Sequence, residues 1–131
     1  MQFSLLIYQP DDDFQRRDDP ARCAAFWGAW LPYIAALREA GVFVGGTALE
    51  RPAEATVVRL RQGQRLVEDG PYADTKEQLG GVIMIDVPDI AAAVAWMWRC
   101  PAIHTGVVEL RPNLPPVATL IATAKADALA G

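Results

Sequence analysis

Two side chains could exchange protons with a substrate. Asp69 stands where an apolar run gives way to the Gly70-Pro71 turn, a place that can hold a carboxylate at the lip of a cleft. His104 is the single histidine of the chain, and imidazole titrates near neutral pH without help from its surroundings. Together they could serve as general acid and base on a small organic substrate, with no cofactor. Trp27, Trp30 and Tyr72 could wall such a pocket. Lys76 and Glu77 share the loop with Asp69, and Arg111 could clamp a substrate carboxylate through two parallel N–H donors. Each residue also has a plainer reading. A turn aspartate commonly hydrogen-bonds its own backbone. His104 could be structural, the tryptophans could belong to an aromatic-rich core face, Lys76 and Glu77 could pair with neighbours or a partner chain, and Arg111 could pair with a nearby acid.

Other chemistries find no support. There is no nucleophile motif and no phosphate loop, which argues against acyl transfer and ATP use. Cys23 and Cys100 are far apart and lack any CxxC or Cys/His spacing, so neither zinc nor a redox pair is expected. Both read as inert small hydrophobes on helices. The acidic run Asp11-Asp12-Asp13 lacks the ligand spacing and glycine of a calcium loop and reads as a solvated loop. Heme would need an axial ligand, for which His104 is the one histidine, and nothing else supports it. Lys and Arg total 12 against 16 Asp and Glu, a net charge of -4, with no basic stripe. Nucleic acid and anionic membrane are therefore poor partners.

The elements that position these residues follow from pattern. With 131 residues, 52% of them hydrophobic, the chain is long enough to bury a core without metal or disulfide. Residues 2–8 form an apolar run ending before Pro10, a central strand. The start Met1-Gln2-Phe3 carries no positive charge and its apolar run is short, so no secretory signal is read, and a cytosolic protein is expected. Asp18, Asp19 and Pro20 signal a helix start, and apolar positions at three- and four-residue steps carry that helix to Ala40. Pro32 inside it predicts a kink near Gly28. A second strand covers Val42–Leu49, loosened by Gly45-Gly46, which suggests a bulge. Alternating runs on either side of Gln62-Gly63 predict a hairpin with Arg59, Arg61 and Arg65 on a solvated face.

Beyond the loop of residues 69–81 comes a strand over Val82–Val87, then a helix opened by Pro88-Asp89 with Ile90, Val94 and Met97 as its inward line. Trp96 and Trp98 cannot both face one side, so at least one lies at an edge. A last strand covers Gly106–Leu110, and residues 113–131 form a tail with a weak helix over Val117–Ala130. The order is strand, helix, strand, hairpin, strand, helix, strand. This is the split-βαβ arrangement of an α+β, ferredoxin-like βαββαβ fold with an inserted β-hairpin. Both helices lie on one face of such a sheet. The apolar strand Val82-Ile83-Met84-Ile85 cannot leave its other face in water, so a homodimer with face-to-face sheets is expected.

The stretches Asp69-Gly70-Pro71-Tyr72, Thr75-Lys76-Glu77-Gln78-Leu79-Gly80-Gly81, Cys100-Pro101-Ala102, Gly106 and Glu109-Leu110-Arg111-Pro112 carry a resemblance. In that order they resemble the DGPF group of the YCII-related proteins, over about residues 1–112, with Tyr72 in place of the phenylalanine of the group's motif. The resemblance implies a dimeric α+β barrel of ferredoxin-like protomers, in bacterial proteins often encoded near extracytoplasmic-function sigma factors. It brings no established activity, and the His-Asp pair proposed for some YCII proteins does not map onto a chain whose one histidine is His104. Two functions stay open. One is a cofactor-independent acid–base enzyme acting on a small metabolite. The other is a non-catalytic ligand-binding or accessory module linked to sigma-factor regulation.

Overall fold

The computed structural model describes all 131 residues. It begins with strand β1 (Gln2–Gln9), in which every second side chain is buried, from Phe3 through Leu5 and Ile7 to Gln9. Such alternation is the period-two signature of a strand with one face on a core. Helices α1 (Asp11–Asp18) and α2 (Cys23–Glu39) follow, then strand β2 (Phe43–Ala48). A hairpin, β3 (Thr56–Arg61) and β4 (Gln64–Asp69), leads to strand β5 (Gln78–Asp86) and helix α3 (Ile90–Arg99). The chain closes with a short 3-10 turn (Pro101–His104), strand β6 (Val107–Pro112) and helix α4 (Val117–Ala130).

The main sheet has the order β2-β5-β1-β6, antiparallel throughout, while β3 and β4 form a separate two-stranded ribbon. This is the ferredoxin-like α+β arrangement expected from the sequence. The four strands form an open sheet, and no barrel closes within one chain. Phe3, Leu5 and Ile7 pack with Ile83 and Ile85 of β5, Val108 of β6, Tyr33 and Leu37 of α2 and Ala93 of α3. Helices α2 and α3 therefore cover the same face. On the opposite face, cross-strand pairs set Ser4 beside Met84 and Leu6 beside Val82, all of them half-buried. No helix is long and apolar enough to cross a membrane.

Several local expectations are corrected. The acidic run is not a solvated loop: Asp11, Asp12 and Asp13 form the first turn of α1, where carboxylates complement the helix dipole, and Arg16 and Arg17 occupy the last turn. Asp13 is 2% exposed. Helix α2 starts at Cys23 rather than Pro20, because Asp19 caps a turn instead, accepting from the Ala21 N–H at 2.9 Å and from Arg22 at 2.7 Å. Of the two cysteines, Cys100 is fully buried and Cys23 half-buried. The inward line of α3 is also rotated from the expected one. Ile90 and Val94 are exposed, and Ala93, with half-buried Trp96 and Met97, faces the core. The small Ala93 side chain lets the helix approach the sheet closely. Asp89 does cap α3, accepting from the Ala92 N–H at 2.9 Å.

Strand β5 reaches back to Gln78, four residues earlier than its apolar run suggested, because Gln78, Leu79 and Gly81 pair with β1 and are not loop. Ile7 pairs with Gly81 but Tyr8 with Leu79, so Gly80 is the extra residue of a β-bulge. A second bulge falls between Phe43 and Gly45, as the Gly45-Gly46 pair suggested. The hairpin turns at Gln62 and Gly63, both with positive φ (50° and 79°), the mirror-image turn that matches strand twist. Both faces of this ribbon are open: Val58, Leu60 and Val67 are as exposed as its arginines.

Candidate functional site

A cavity of about 370 Å³ lies between α2 and the edge made by β2 and β5. Its walls are Trp27, Trp30, Leu31 and Ile34 of α2 and Phe43 of β2, with Ile7 and Ile83 of the sheet at its floor. Gly46, Gly80 and Gly81 also line it. The two bulges bring these glycines to one place, and a bulge re-aims the strand beside a pocket. At Gly80 the bareness is required. A Cβ there would sit 1.9 Å from Oε1 of Gln9, so the absent side chain leaves room for the Gln9 amide.

Four polar side chains face this apolar cavity: Gln9, Arg17, Arg38 and Thr47. Arg17 is clamped. Its guanidinium lies 5.2 Å from the ring centres of both Phe14 and Trp27 and donates to the carbonyl of Leu49. Burial lowers its pKa from the usual arginine value, although arginine keeps its charge at any physiological pH. Nη1 of Arg17 is buried with no hydrogen-bond partner. Arg38 lies over the ring of Phe43 at 4.7 Å. Gln9 is 4% exposed.

A second, smaller cavity of about 210 Å³ is where His104 is found. It is shared with Asp13, Arg16, Gln9, Phe26, Trp30 and Thr105. Asp13 is anchored at both oxygens, accepting from Arg16 at 2.5 Å and from the Thr105 hydroxyl at 2.7 Å. His104 itself is exposed at the end of the 3-10 turn.

The expected pocket, flanked by Asp69 and His104 and walled by Trp27, Trp30 and Tyr72, is not assembled within the chain. Asp69 is the exposed last residue of β4, paired with Thr56, and lines neither of these cavities nor a third beside Lys76. Tyr72 is 77% exposed, with the Arg59 guanidinium 5.7 Å above its ring. Lys76 borders a third cavity, polar and about 320 Å³, beside Asp11, Gln15 and Arg51. Glu77 is half-buried, and its carbonyl accepts from the Thr75 hydroxyl at 2.6 Å. Arg111 is exposed and 3.5 Å from Glu109. Only Trp27 and Trp30 stand in the main cavity. The motif loop instead holds itself together: the Gln78 amide donates to the carbonyls of Ala73 at 2.8 Å and Thr75 at 2.9 Å.

Sequence reading missed Gln9, Arg17, Arg38 and Asp13. The one available signal was the run after Pro10, acidic in its first residues and basic in its last, which is the charge order of a short helix.

No curated protein matches the chain. The model of one family, described as the YCII-related domain, matches residues 1–115, and the chain therefore belongs to the YCII-related domain family.

Proposed function

We propose that this protein is a small-molecule-binding domain whose ligand occupies the cavity between α2 and the β2–β5 edge. The observation that carries this reading is the composition of the site: a space of about 370 Å³ walled by two tryptophans and aliphatic side chains, with a few polar groups at fixed positions. Ligand sites have this size and this make-up. Of the polar groups facing it, Arg17, Arg38, Gln9 and Thr47, none exchanges protons near neutral pH. The site thus favours binding over acid–base turnover, a sensing or accessory module of the kind the sequence resemblance set beside sigma factors. An NMR fragment screen tests it. Hits are expected to shift the indole N–H signals of Trp27 and Trp30 and to leave that of Trp98, which is 69% exposed, in place. Hits scattered over the surface, with no effect on Trp27 and Trp30, would overturn the reading.

A second reading rests on the cavity shared by His104 and the buried Asp13. There His104 acts as the acid–base group and Asp13, held by Arg16 and Thr105, sets the local charge. Turnover lost in His104→Ala at unchanged thermal stability supports it.

We also infer a homodimer through the open sheet face. Leu6, Val82 and Met84 on that face, Val58, Leu60 and Val67 on the ribbon, and Ile121 and Leu129 on α4 are apolar side chains that the chain leaves half-covered or exposed. Helix α4 buries none of its residues. A second copy packed on the sheet face would cover Leu6, Val82 and Met84.

A further inference from the structure

We propose that the ligand of the cavity beneath α2 is an amphipathic organic anion, a carboxylate on a flat apolar body, with its charged end at Arg17 and Gln9. The inference rests on the binding-site reading above and adds the chemical class of the ligand.

Charge is the first argument. The chain as a whole carries a net charge of -4, yet the cavity is lined by two arginines and no carboxylate. Of the other eight arginines, Arg61, Arg65 and Arg99 lie exposed, and five, Arg16, Arg22, Arg51, Arg59 and Arg111, are ion-paired within the chain. Neither Arg17 nor Arg38 is among them. Asp18 and Glu50 act on Arg17 from outside the cavity, but among its apolar walls the guanidinium meets no carboxylate, and an incoming anion supplies that partner.

The second argument is the unmet hydrogen bonding at the same end. Arg17 donates through one arm to the Leu49 carbonyl and leaves Nη1 buried with no hydrogen-bond partner within the chain. Gln9 is 4% exposed, lines the cavity and makes no side-chain hydrogen bond within the chain, so its amide is free to bond a group in the cavity. The bulge glycine Gly80 makes the space that this amide occupies. A carboxylate accepts from guanidinium and amide N–H alike.

The remaining walls fix the rest of the ligand. Trp27, Trp30, Ile34 and Phe43 offer flat and aliphatic surface to a ring or short chain. Arg38, exposed at the rim over Phe43, adds attraction from the solvent side. A carboxylate suits the site better than a phosphate ester, because only one guanidinium lies deep and a dianion would keep charge uncompensated against apolar walls.

The test compares 2-naphthoate with its neutral counterpart 2-naphthylmethanol, by calorimetry and by quenching of Trp27 and Trp30 emission. The expected result is that naphthoate binds about 10- to 100-fold more tightly, as one charge-assisted hydrogen-bond pair provides. The preference should fall to about threefold or less in Arg17→Gln and should shrink with added salt. Arg17 also holds Leu49, so Arg38→Gln, at an exposed side chain, gives a second reading from a variant whose fold is not at stake. Equal binding of the two probes, unmoved by either substitution, would overturn the anion assignment and leave the cavity as a neutral-ligand site. Binding of neither probe, with no change in tryptophan emission, would overturn the site itself and the assignment with it.

Discussion

The hydroxyl of Thr105 donates a 2.7 Å hydrogen bond to Oδ2 of Asp13, joining residues 92 positions apart. The pair pins α1 to the turn that precedes β6, and Arg16 completes it by donating to Oδ1. Asp13 is 2% exposed, so its charge depends on these partners and not on water. The pinning matters for the candidate site, since α1 carries Arg17 to the cavity and Gln9 leads into it.

Breaking this anchor should be costly and non-additive. Asp13→Ala removes the buried acceptor and leaves half-buried Arg16 with only the exposed Asp12 carboxylate at 3.5 Å, a loss of about 3 kcal/mol for a broken buried pair. Thr105→Val removes one hydrogen bond and should cost about 1 kcal/mol. Urea melts of the two single variants and the double variant provide the check. The double variant is expected to lose about as much as Asp13→Ala alone, because the threonine has nothing left to donate to. Strict additivity would mean that the bond contributes nothing.

Three glycines should respond to alanine in different ways. At Gly106 a Cβ would lie 2.1 Å from the carbonyl oxygen of Tyr8, a backbone atom that cannot step aside, and Gly106→Ala should destabilise by about 1–3 kcal/mol. At Gly28, inside α2, a Cβ meets nothing within 4 Å, and Gly28→Ala should stabilise by about 0.5–1 kcal/mol. Gly80→Ala should displace the Gln9 amide and weaken ligand binding more than it lowers thermal stability. Melting temperatures of the three variants, with naphthoate affinity for the third, decide each case.

Much of the fold was legible because its signals are local. The apolar run of residues 2–8 before Pro10 marks β1, Gln62-Gly63 marks the hairpin, and the range Val117–Ala130 read for α4 is the one observed. Helix α1 was missed for a physical reason. Aspartate favours turns and caps over helix interiors, and Phe14 is the one large apolar side chain in the segment, so no apolar face repeats. Long-range geometry left no such mark. Nothing near Gln9 in sequence says that a glycine 71 positions later bulges to admit its amide. Asp69 and His104 were chosen for their chemistry, but the ribbon carries Asp69 to the surface while the 3-10 turn sets His104 in another cavity.

The two cysteines should differ in reactivity and in their effect on stability at high pH. Burial pushes the Cys100 thiol up to about 11 from its ordinary value near 9, and its side chain is 0% exposed. At pH 8 a thiol reagent should label Cys23, which is half-buried, well before Cys100. The raised value means that the fold favours the neutral thiol. Its stabilisation is fully present below pH 9 and is lost as pH rises toward 11, by roughly 2–3 kcal/mol over the window. Burial also raises the Tyr33 hydroxyl, which donates to the Trp96 carbonyl at 2.9 Å, and so adds to the loss in the same direction. In Cys100→Ala the decline from pH 9 to 11 should be shallower, whatever the change in baseline stability. An unchanged slope would assign the alkaline loss to other groups.

The open sheet face supplies the last prediction. Leu6 and Val82 are cross-strand partners there, with Met84 beside Ser4, and all four are half-buried in the single chain. Sheet faces rich in aliphatic side chains are covered in stable proteins. Light scattering on a sizing column is expected to give about twice the chain mass of 14.2 kDa. Leu6→Glu combined with Met84→Glu places two charges at the centre of the proposed seam, where the two-fold axis doubles them. That variant should elute as a folded monomer with unchanged far-ultraviolet dichroism, because neither side chain belongs to the core formed by Phe3, Leu5, Ile83 and Ile85. A wild-type protein that is monomeric at high concentration would remove the dimer. A dimer that survives the double substitution would move the seam to the exposed ribbon and α4, where Val58, Val67 and Ile121 are the side chains to charge next.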